Sequence, residues 1–357
     1  MKRFKIHNGH RIATIALVIV ASILSKVSAQ DYNENFVMTT TYKVPSSVQI
    51  TTADPDEVAI EITYFDGLGR PKQKIAHKQA GNGGDLITHI AYDGFGRQPL
   101  EFLPYGRSGA SLDFDGNGYS GTTGFYSNAS NGPTTNNPWA QKVFEESPLN
   151  RVLEQAAPGD PWKLEDDQTV KFSYETNTNN EVHHFSVSLS GNGPTLQYNQ
   201  RYPEGFLYKT VTKPENWQPS NGQKGTIAEY KDKMGRVVLK RTYETPIDGL
   251  LTDPPMALDT YYIYDVYGNL TFVLPPKLSA QIISGGSLIG NYNHYLDNLG
   301  YQYYYDHRNR MIMKRIPGKG WEFMVYDELD RIIAKGPALS PFGDQTEGWL
   351  HTKYDIH

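Results

Sequence analysis

Hydrophobic and polar positions alternate with a period of two over much of this chain, in short runs punctuated by glycine, proline and aspartate. That period puts successive side chains on opposite faces of a strand. Val170–Tyr174 and His183–Leu189 alternate in this way, and Phe36–Val44 and Val48–Thr52 predict two further strands nearer the N-terminus. Aromatic and β-branched runs such as Tyr261-Tyr262-Ile263-Tyr264 suit a pleated, half-buried surface. After residue 30 no window sustains the 3.6-residue period of an amphipathic helix. The pattern therefore predicts an all-β fold. Composition agrees, because 25 tyrosines, 33 glycines and 22 prolines supply strand formers and turn makers.

One block recurs between the strands. It reads Tyr64-Phe65-Asp66-Gly67-Leu68-Gly69-Arg70, then Tyr92-Asp93-Gly94-Phe95-Gly96-Arg97, then Tyr230-Lys231-Asp232-Lys233-Met234-Gly235-Arg236. Further copies are Tyr264-Asp265-Val266-Tyr267-Gly268-Asn269, Tyr305-Asp306-His307-Arg308-Asn309-Arg310 and Tyr326-Asp327-Glu328-Leu329-Asp330-Arg331, with a weaker one at Ser147-Pro148-Leu149-Asn150-Arg151. Three residues after the Asp or Ser147 stands Gly, Asn or Asp in every copy, and these residues tolerate positive φ. Asp, two ordinary residues and a left-handed residue spell a type I turn with a bulge, closing a hairpin. The Asp carboxylate can accept from the turn's own backbone, and the Arg at the next position can pair with it across the hairpin base. Asp66, Gly69, Arg70, Asp93, Gly96, Arg97, Asp232, Gly235, Arg236, Asp265, Gly268, Asp306, Arg310, Asp327 and Arg331 are thus predicted to be structural turn residues. Their recurrence argues against catalysis, since an active site is not needed seven times.

The N-terminus adds a compartment. Lys2, Arg3, Lys5 and Arg11 precede an apolar run from Ile12 to Leu24, and Val27-Ser28-Ala29 offers small residues before Gln30. This order predicts a signal peptide over 1–29, cleaved after Ala29, and a secreted or cell-surface protein. Cleavage removes five basic side chains (Lys2, Arg3, Lys5, Arg11, Lys26) and no acidic one, carrying the formal charge from −5 to −10. An acidic chain is not built for nucleic acid. The absence of cysteine excludes disulfides, thiolate metal sites and thiol nucleophiles. Residues 30–60 are expected as a polar lead-in and 61–357 as one β region, interrupted by a Gly/Asn/Ser-rich surface loop over 105–140.

The Tyr-Asp-x-x-Gly-Arg blocks resemble the YD repeats of the RHS family. Ile62-Thr63-Tyr64-Phe65-Asp66-Gly67-Leu68-Gly69-Arg70-Pro71 looks like the domain of unknown function that precedes RHS repeats in exported bacterial proteins. The resemblance implies an antiparallel β-ribbon that curves or spirals into a hollow shell, enclosing a toxin in some members and acting in surface display or adhesion in others. It implies the remainder of such a shell, or its cargo, as partner, with membrane contact only in transit during export. The sequence closes on a new Tyr354-Asp355 without its Gly-Arg, so a truncated N-terminal piece is expected.

Other candidates are weaker. Asp113, Asp115 and Asn117 have the spacing that opens a calcium loop, but the twelfth position is Gly124 instead of a bidentate acid. His183 and His184 are neighbours on a strand, so their rings point apart. Glu145-Glu146 and Asp166-Asp167 read as solvated loop charge, and no cofactor motif is present. Trp139, Trp162, Trp217 and Trp321 could stack on sugars, which makes a carbohydrate-binding surface or adhesion module the alternative function.

Overall fold

The alternation becomes a succession of antiparallel strands in a computed structural model of the chain, which describes residues 5–8, 34–47, 50, 54–190, 193–244, 256–284, 286–339 and 346–355. The chain divides into two units, Met1–Val170 and Lys171–Ile356. The expected division between residues 60 and 61 falls inside the strand Val58–Phe65, which pairs along its whole length with Asn35–Tyr42. The lead-in is therefore part of the sheet, and its Phe36 and Met38 pack on the core. Of Val48–Thr52, only Ile50 lies among the described residues.

In the first unit one sheet runs Lys5–Asn8, Asn35–Tyr42, Val58–Phe65, Pro71–Ala76, Leu86–His89, Tyr105–Gly106. Lys5–Asn8 is parallel to its neighbour and the remaining pairs are antiparallel. Cleavage after Ala29 would remove that first strand, and residues 9–33 lie outside the described ones. Ile62, Tyr64, Ile75 and Ile87 point inward and are closed over by Tyr105 and Leu112. A second set in this unit orders Leu100–Phe102, Trp139–Phe144 and Val152–Ala156.

The segment 105–140 differs from the expected loop. It carries a ten-residue helix, Gly118–Ser127, and a 3₁₀ turn, Ala129–Asn131. Its Gly, Ser and Thr content has poor helix propensity, so nothing in the sequence announced it. Those glycines serve close packing instead. A Cβ on Gly121 would lie 2.8 Å from the Tyr105 ring, and one on Gly118 would lie 2.2 Å from the imidazole of His89. Tertiary contact overrides propensity here, with Phe125 of the helix packed on the core.

In the second unit each strand is antiparallel to the next: Val170–Thr176 at the unit boundary, then Tyr208–Lys213, Ile227–Lys231, Val237–Tyr243, Ala257–Tyr264, Leu270–Leu274, Tyr301–Tyr305, Met311–Arg315, Glu322–Tyr326, Ile332–Leu339 and Glu347–His351. Tyr230, Leu239, Tyr261, Ile263, Phe272 and Leu274 come from the sheet into one buried cluster. A separate hairpin, His183–Ser190 with Gly193–Arg201, brings Phe185, Val187 and Leu196 against it. Two helices, Pro276–Ser279 and Tyr292–Leu299, add Leu278 and Leu296. The fold is mostly β, built from irregular antiparallel hairpins. Among the described residues no helix is long and apolar enough to cross a membrane.

Candidate functional site

The recurring block forms one structure at its six Asp-containing copies. At Asp66 the backbone N–H donates to Arg70 O (2.9 Å) and Gly69 N–H donates to Asp66 O (3.0 Å). Oδ1 of Asp66 accepts from the N–H groups of Leu68 and Arg70, each at 2.9 Å, while Oδ2 accepts from Arg70 Nε at 2.7 Å. The same bonds recur at Asp93/Arg97, Asp232/Arg236, Asp306/Arg310 and Asp327/Arg331. At Asp265 the amide Nδ2 of Asn269 replaces the guanidinium at 3.0 Å. The left-handed position is occupied by Gly69, Gly96, Gly235, Gly268, Asn309 and Asp330, with φ from 60° to 88°. The backbone N–H of Arg70 holds the Asp66 carboxyl below its ordinary range, and that of Arg331 does the same for Asp327. At Asp93 and Asp306 burial pulls upward and the bonds from Arg97 and Arg310 outweigh it. Both oxygens of each repeat carboxylate are engaged inside its own turn.

The seventh copy uses a different carboxylate. The spacing to Asn150 puts Ser147 in the place of the Asp, yet Glu145 fills that part: its N–H donates to Arg151 O at 2.9 Å, and its Oε2 accepts from Arg151 Nε at 2.9 Å. The strand register confirms the assignment. A one-residue slip falls just before Asp66, Asp232, Asp265, Asp306 and Asp327, and the equivalent slip, between Val143 and Phe144, falls just before Glu145. Ser147 Oγ still accepts from Leu149 N–H, and Asn150 is left-handed. Chiefly through the Arg151 guanidinium, Glu145 is lowered to about 2, so it is a paired turn residue and not solvated loop charge.

Within each unit, consecutive turns are joined to one another. The guanidinium of Arg70 lies over the Tyr92 ring at 4.3 Å, that of Arg236 over Tyr264 at 4.9 Å, that of Arg310 over Tyr326 at 4.8 Å and that of Arg331 over Tyr354 at 4.5 Å. The hydroxyls of Tyr92, Tyr305, Tyr326 and Tyr354 donate to the carbonyls of Pro71, Leu270, Met311 and Ile332, always the fifth residue after the preceding Asp. Arg97 reaches Asn150 Oδ1 (3.3 Å), Asn269 reaches Asn309 Oδ1 (2.9 Å) and Arg310 reaches Asp330 Oδ1 (2.5 Å). The two first-block tyrosines behave otherwise. Tyr64 and Tyr230 stand one residue further from the Asp, so the strand period turns them to the opposite face, where both are fully buried.

The weaker candidates resolve individually. Asp115 accepts from Tyr105 OH (2.7 Å) and from Asn117 N–H (2.9 Å), and its carbonyl accepts from Gln73 Nε2 (2.9 Å). Those oxygens are committed to the fold, and among the described residues no group of three or more His, Asp or Glu is placed to hold a metal ion. His183 Nδ1 sits 2.9 Å from Tyr198 OH, whereas the His184 ring lies on Tyr202. Trp217 is covered by the ammonium of Lys213, and Trp321 sits between Tyr304 and Arg315. Trp139 packs on Phe102 and Tyr119, which leaves Trp162, 40% exposed, as the most open of these four indoles.

Sequence reasoning missed Asp85. It is fully buried and accepts from Leu112 N–H (2.8 Å), Arg107 Nη2 (2.9 Å) and Lys78 N–H (3.2 Å), with His77 Nδ1 at 2.9 Å. Burial would raise its pKa, but these four partners outweigh it and the group is lowered. A single Asp in a Gly-rich stretch gives no periodic signal. In the second unit Glu181 accepts from Tyr230 OH (2.7 Å) and Lys209 Nζ (3.0 Å), and Arg241 forks onto Asp259 (2.6 and 2.7 Å). These ions are likewise paired within the chain.

Residues 38–176 match the family described as Domain of unknown function (DUF6443). No curated protein sequence matches the chain. Among solved structures it is similar to TcdB2-TccC3 without the hypervariable C-terminal region, at 16% identity over 79% of this chain, with a TM-score of 0.46. The complete TcdB2-TccC3 gives 15% identity over 79% and the same TM-score. A Photorhabdus luminescens Tc holotoxin pore carrying a TccC3 mutation gives 15% identity over 79%, at 0.45. The chain spans 12% of the length of each of those chains.

Proposed function

We propose that the chain is an exported scaffold segment of an RHS-type YD-repeat protein, part of a shell used for cargo encapsulation or surface display, with no catalysis of its own. The observation that carries this reading is the fate of the repeat's charged residues. Each Asp has both oxygens engaged by its own turn, and Arg70, Arg236, Arg310 and Arg331 each lie on the tyrosine that opens the next hairpin. Side chains spent in this way set the pitch between hairpins and leave neither oxygen of a repeat carboxylate without a partner in its own turn. The match of residues 38–176 to a domain of unknown function supports the resemblance drawn from Ile62–Pro71.

Produced with its own N-terminus in a bacterial host, the protein is expected outside the cytoplasm and beginning at Gln30. Electron microscopy of the native assembly is expected to show hairpins around an enclosed space. Cytoplasmic protein with Met1 intact, or a solid particle, would overturn the reading. The carbohydrate alternative rests on Trp162. Binding on a glycan array that disappears in Trp162→Ala would put it in place of the scaffold.

A further inference from the structure

Turn chemistry asks little of the residue just before the left-handed one, and small polar residues serve there well. This chain nevertheless places Leu68, Phe95, Leu149, Met234, Tyr267 and Leu329 at that position, with Arg308 the exception. In the first unit the three side chains stand at the tips of consecutive turns. Arg70 of one turn comes within 3.1 Å of where a Cβ on Gly96 would be, and Arg97 of that turn bonds Asn150 of the next. Leu68 is 78% exposed, Phe95 83% and Leu149 70%. The Arg97 guanidinium lies 4.9 Å from the Phe95 ring and sets its base. Among the described residues none of the three enters a core cluster, Phe95 touching only the Arg97 guanidinium at its base, and their immediate neighbours Gly67, Gly94 and Pro148 carry no charge.

We propose that this row is a peripheral lipid contact, in which Leu68, Phe95 and Leu149 insert into the interfacial layer of a phospholipid bilayer. Consecutive tips of neighbouring hairpins are separated by a hairpin's two strands, roughly 10 Å. Three separate projections of that kind expose on the order of a few hundred Å², short of the about 800 Å² per partner that a stable protein–protein contact takes. A convex, gapped row cannot exclude water against a rigid protein surface, whereas a fluid bilayer closes around each tip independently. The uncharged tips of an acidic chain select zwitterionic lipid. Beyond the transient membrane contact of export, the turn tips supply a second, lasting one. The inference does not depend on the shell reading.

The test is flotation of the secreted chain with phosphatidylcholine vesicles. The wild type is expected to co-float, and Leu68→Ser, Phe95→Ser and Leu149→Ser together to lower partitioning at least tenfold with an unchanged unfolding midpoint. Separately, Phe95→Trp is expected to shift its emission to the blue when vesicles are added. Failure of the wild type to float, or equal flotation of the triple variant, overturns the proposal. So does a lipid-free wild-type dimer that the triple variant makes monomeric, because a second copy would then be the occupant. If the triple variant does not fold, an unshifted Phe95→Trp emission overturns it alone.

Discussion

The guanidinium of Arg310 rests over the ring of Tyr326, and the hydroxyl of that same tyrosine donates to the carbonyl of Met311, the residue after the arginine. One side chain thus receives the preceding turn twice, once on its face and once at its tip. The Tyr-Asp pair is two devices in sequence: the Tyr closes the hairpin behind it, and the Asp folds the turn ahead. Removing only the hydroxyl, in Tyr326→Phe, is expected to lower stability by about 1 kcal/mol in urea unfolding, the usual worth of such a bond. Arg310→Lys keeps the charge but loses the planar stack and the forked pairing with Asp306, and is expected to be destabilising as well. In a double-mutant cycle the two changes should not add, and strict additivity would refute the joint role.

How much of this could be read beforehand depends on the range of each interaction. The turns were legible, because Asp66, Gly69 and Arg70 bond within five residues and the left-handed requirement leaves a mark in residue type. The joints between turns were not. Whether a tyrosine precedes its Asp by one residue, as Tyr326 does, or by two, as Tyr230 does, decides which face of the sheet it takes, and the motif alone blurs that difference. Ser147 misled for a related reason: its spacing to Asn150 matches the motif, while the carboxylate stands at Glu145. The helix Gly118–Ser127 was invisible because it exists through contact with Tyr105 and His89 and not through its own propensity.

Gly235 tests the turn itself. Its φ is 80° and no atom lies within 4 Å of a Cβ built there, so any cost of substitution is backbone strain and not a clash. Gly235→Val is expected to lose about 2 kcal/mol, since a β-branched residue resists the left-handed region. Gly235→Asn should lose less, because Asn309 holds the same position at a φ of 60°. Thermal melts of the two variants check the ranking, and equal losses would show that the turn does not discriminate by φ.

Acid should unfold the protein in two stages. Burial depresses His183 to about 4 and also lowers His184 and His89, so these rings are neutral when folded and take up protons when unfolded. Their contribution is therefore complete above the unfolded value near 6.5 and falls as pH drops below it, that of His183 down to about 4. Glu322 titrates lower. Burial alone would raise it, but Lys319 at 2.6 Å and Lys335 at 2.9 Å outweigh that and bring it to about 2. Its contribution is present above the unfolded value near 4.5 and disappears between there and 2. Denaturation midpoints from pH 8 to 3 should be level above 6.5, decline gently, then fall steeply below 4.5. His183→Phe should flatten the gentle portion, and a curve already level down to 4.5 in the wild type would contradict the assignment.

Asp85 carries the largest single effect expected in the first unit. Its two oxygens hold Leu112 and Lys78 by their backbone, and Arg107 and His77 by their side chains, so one buried carboxylate ties together stretches more than thirty residues apart. Removing the charge leaves Arg107 without its counter-ion and the buried Leu112 N–H facing a poorer acceptor. For a buried pair broken at one partner the cost is about 3 kcal/mol or more. Asp85→Asn keeps the shape and should lose most of that, since the amide turns a donor toward one of four donors. Because Arg107 also donates to the carbonyl of Asp113, the loss should spread to the loop that carries Asp115 and to the start of the Gly118–Ser127 helix. Hydrogen exchange would then quicken across residues 107–127 in the variant while the Tyr326 hairpin stays protected. Uniform quickening of the whole chain would mean that the two units unfold as one.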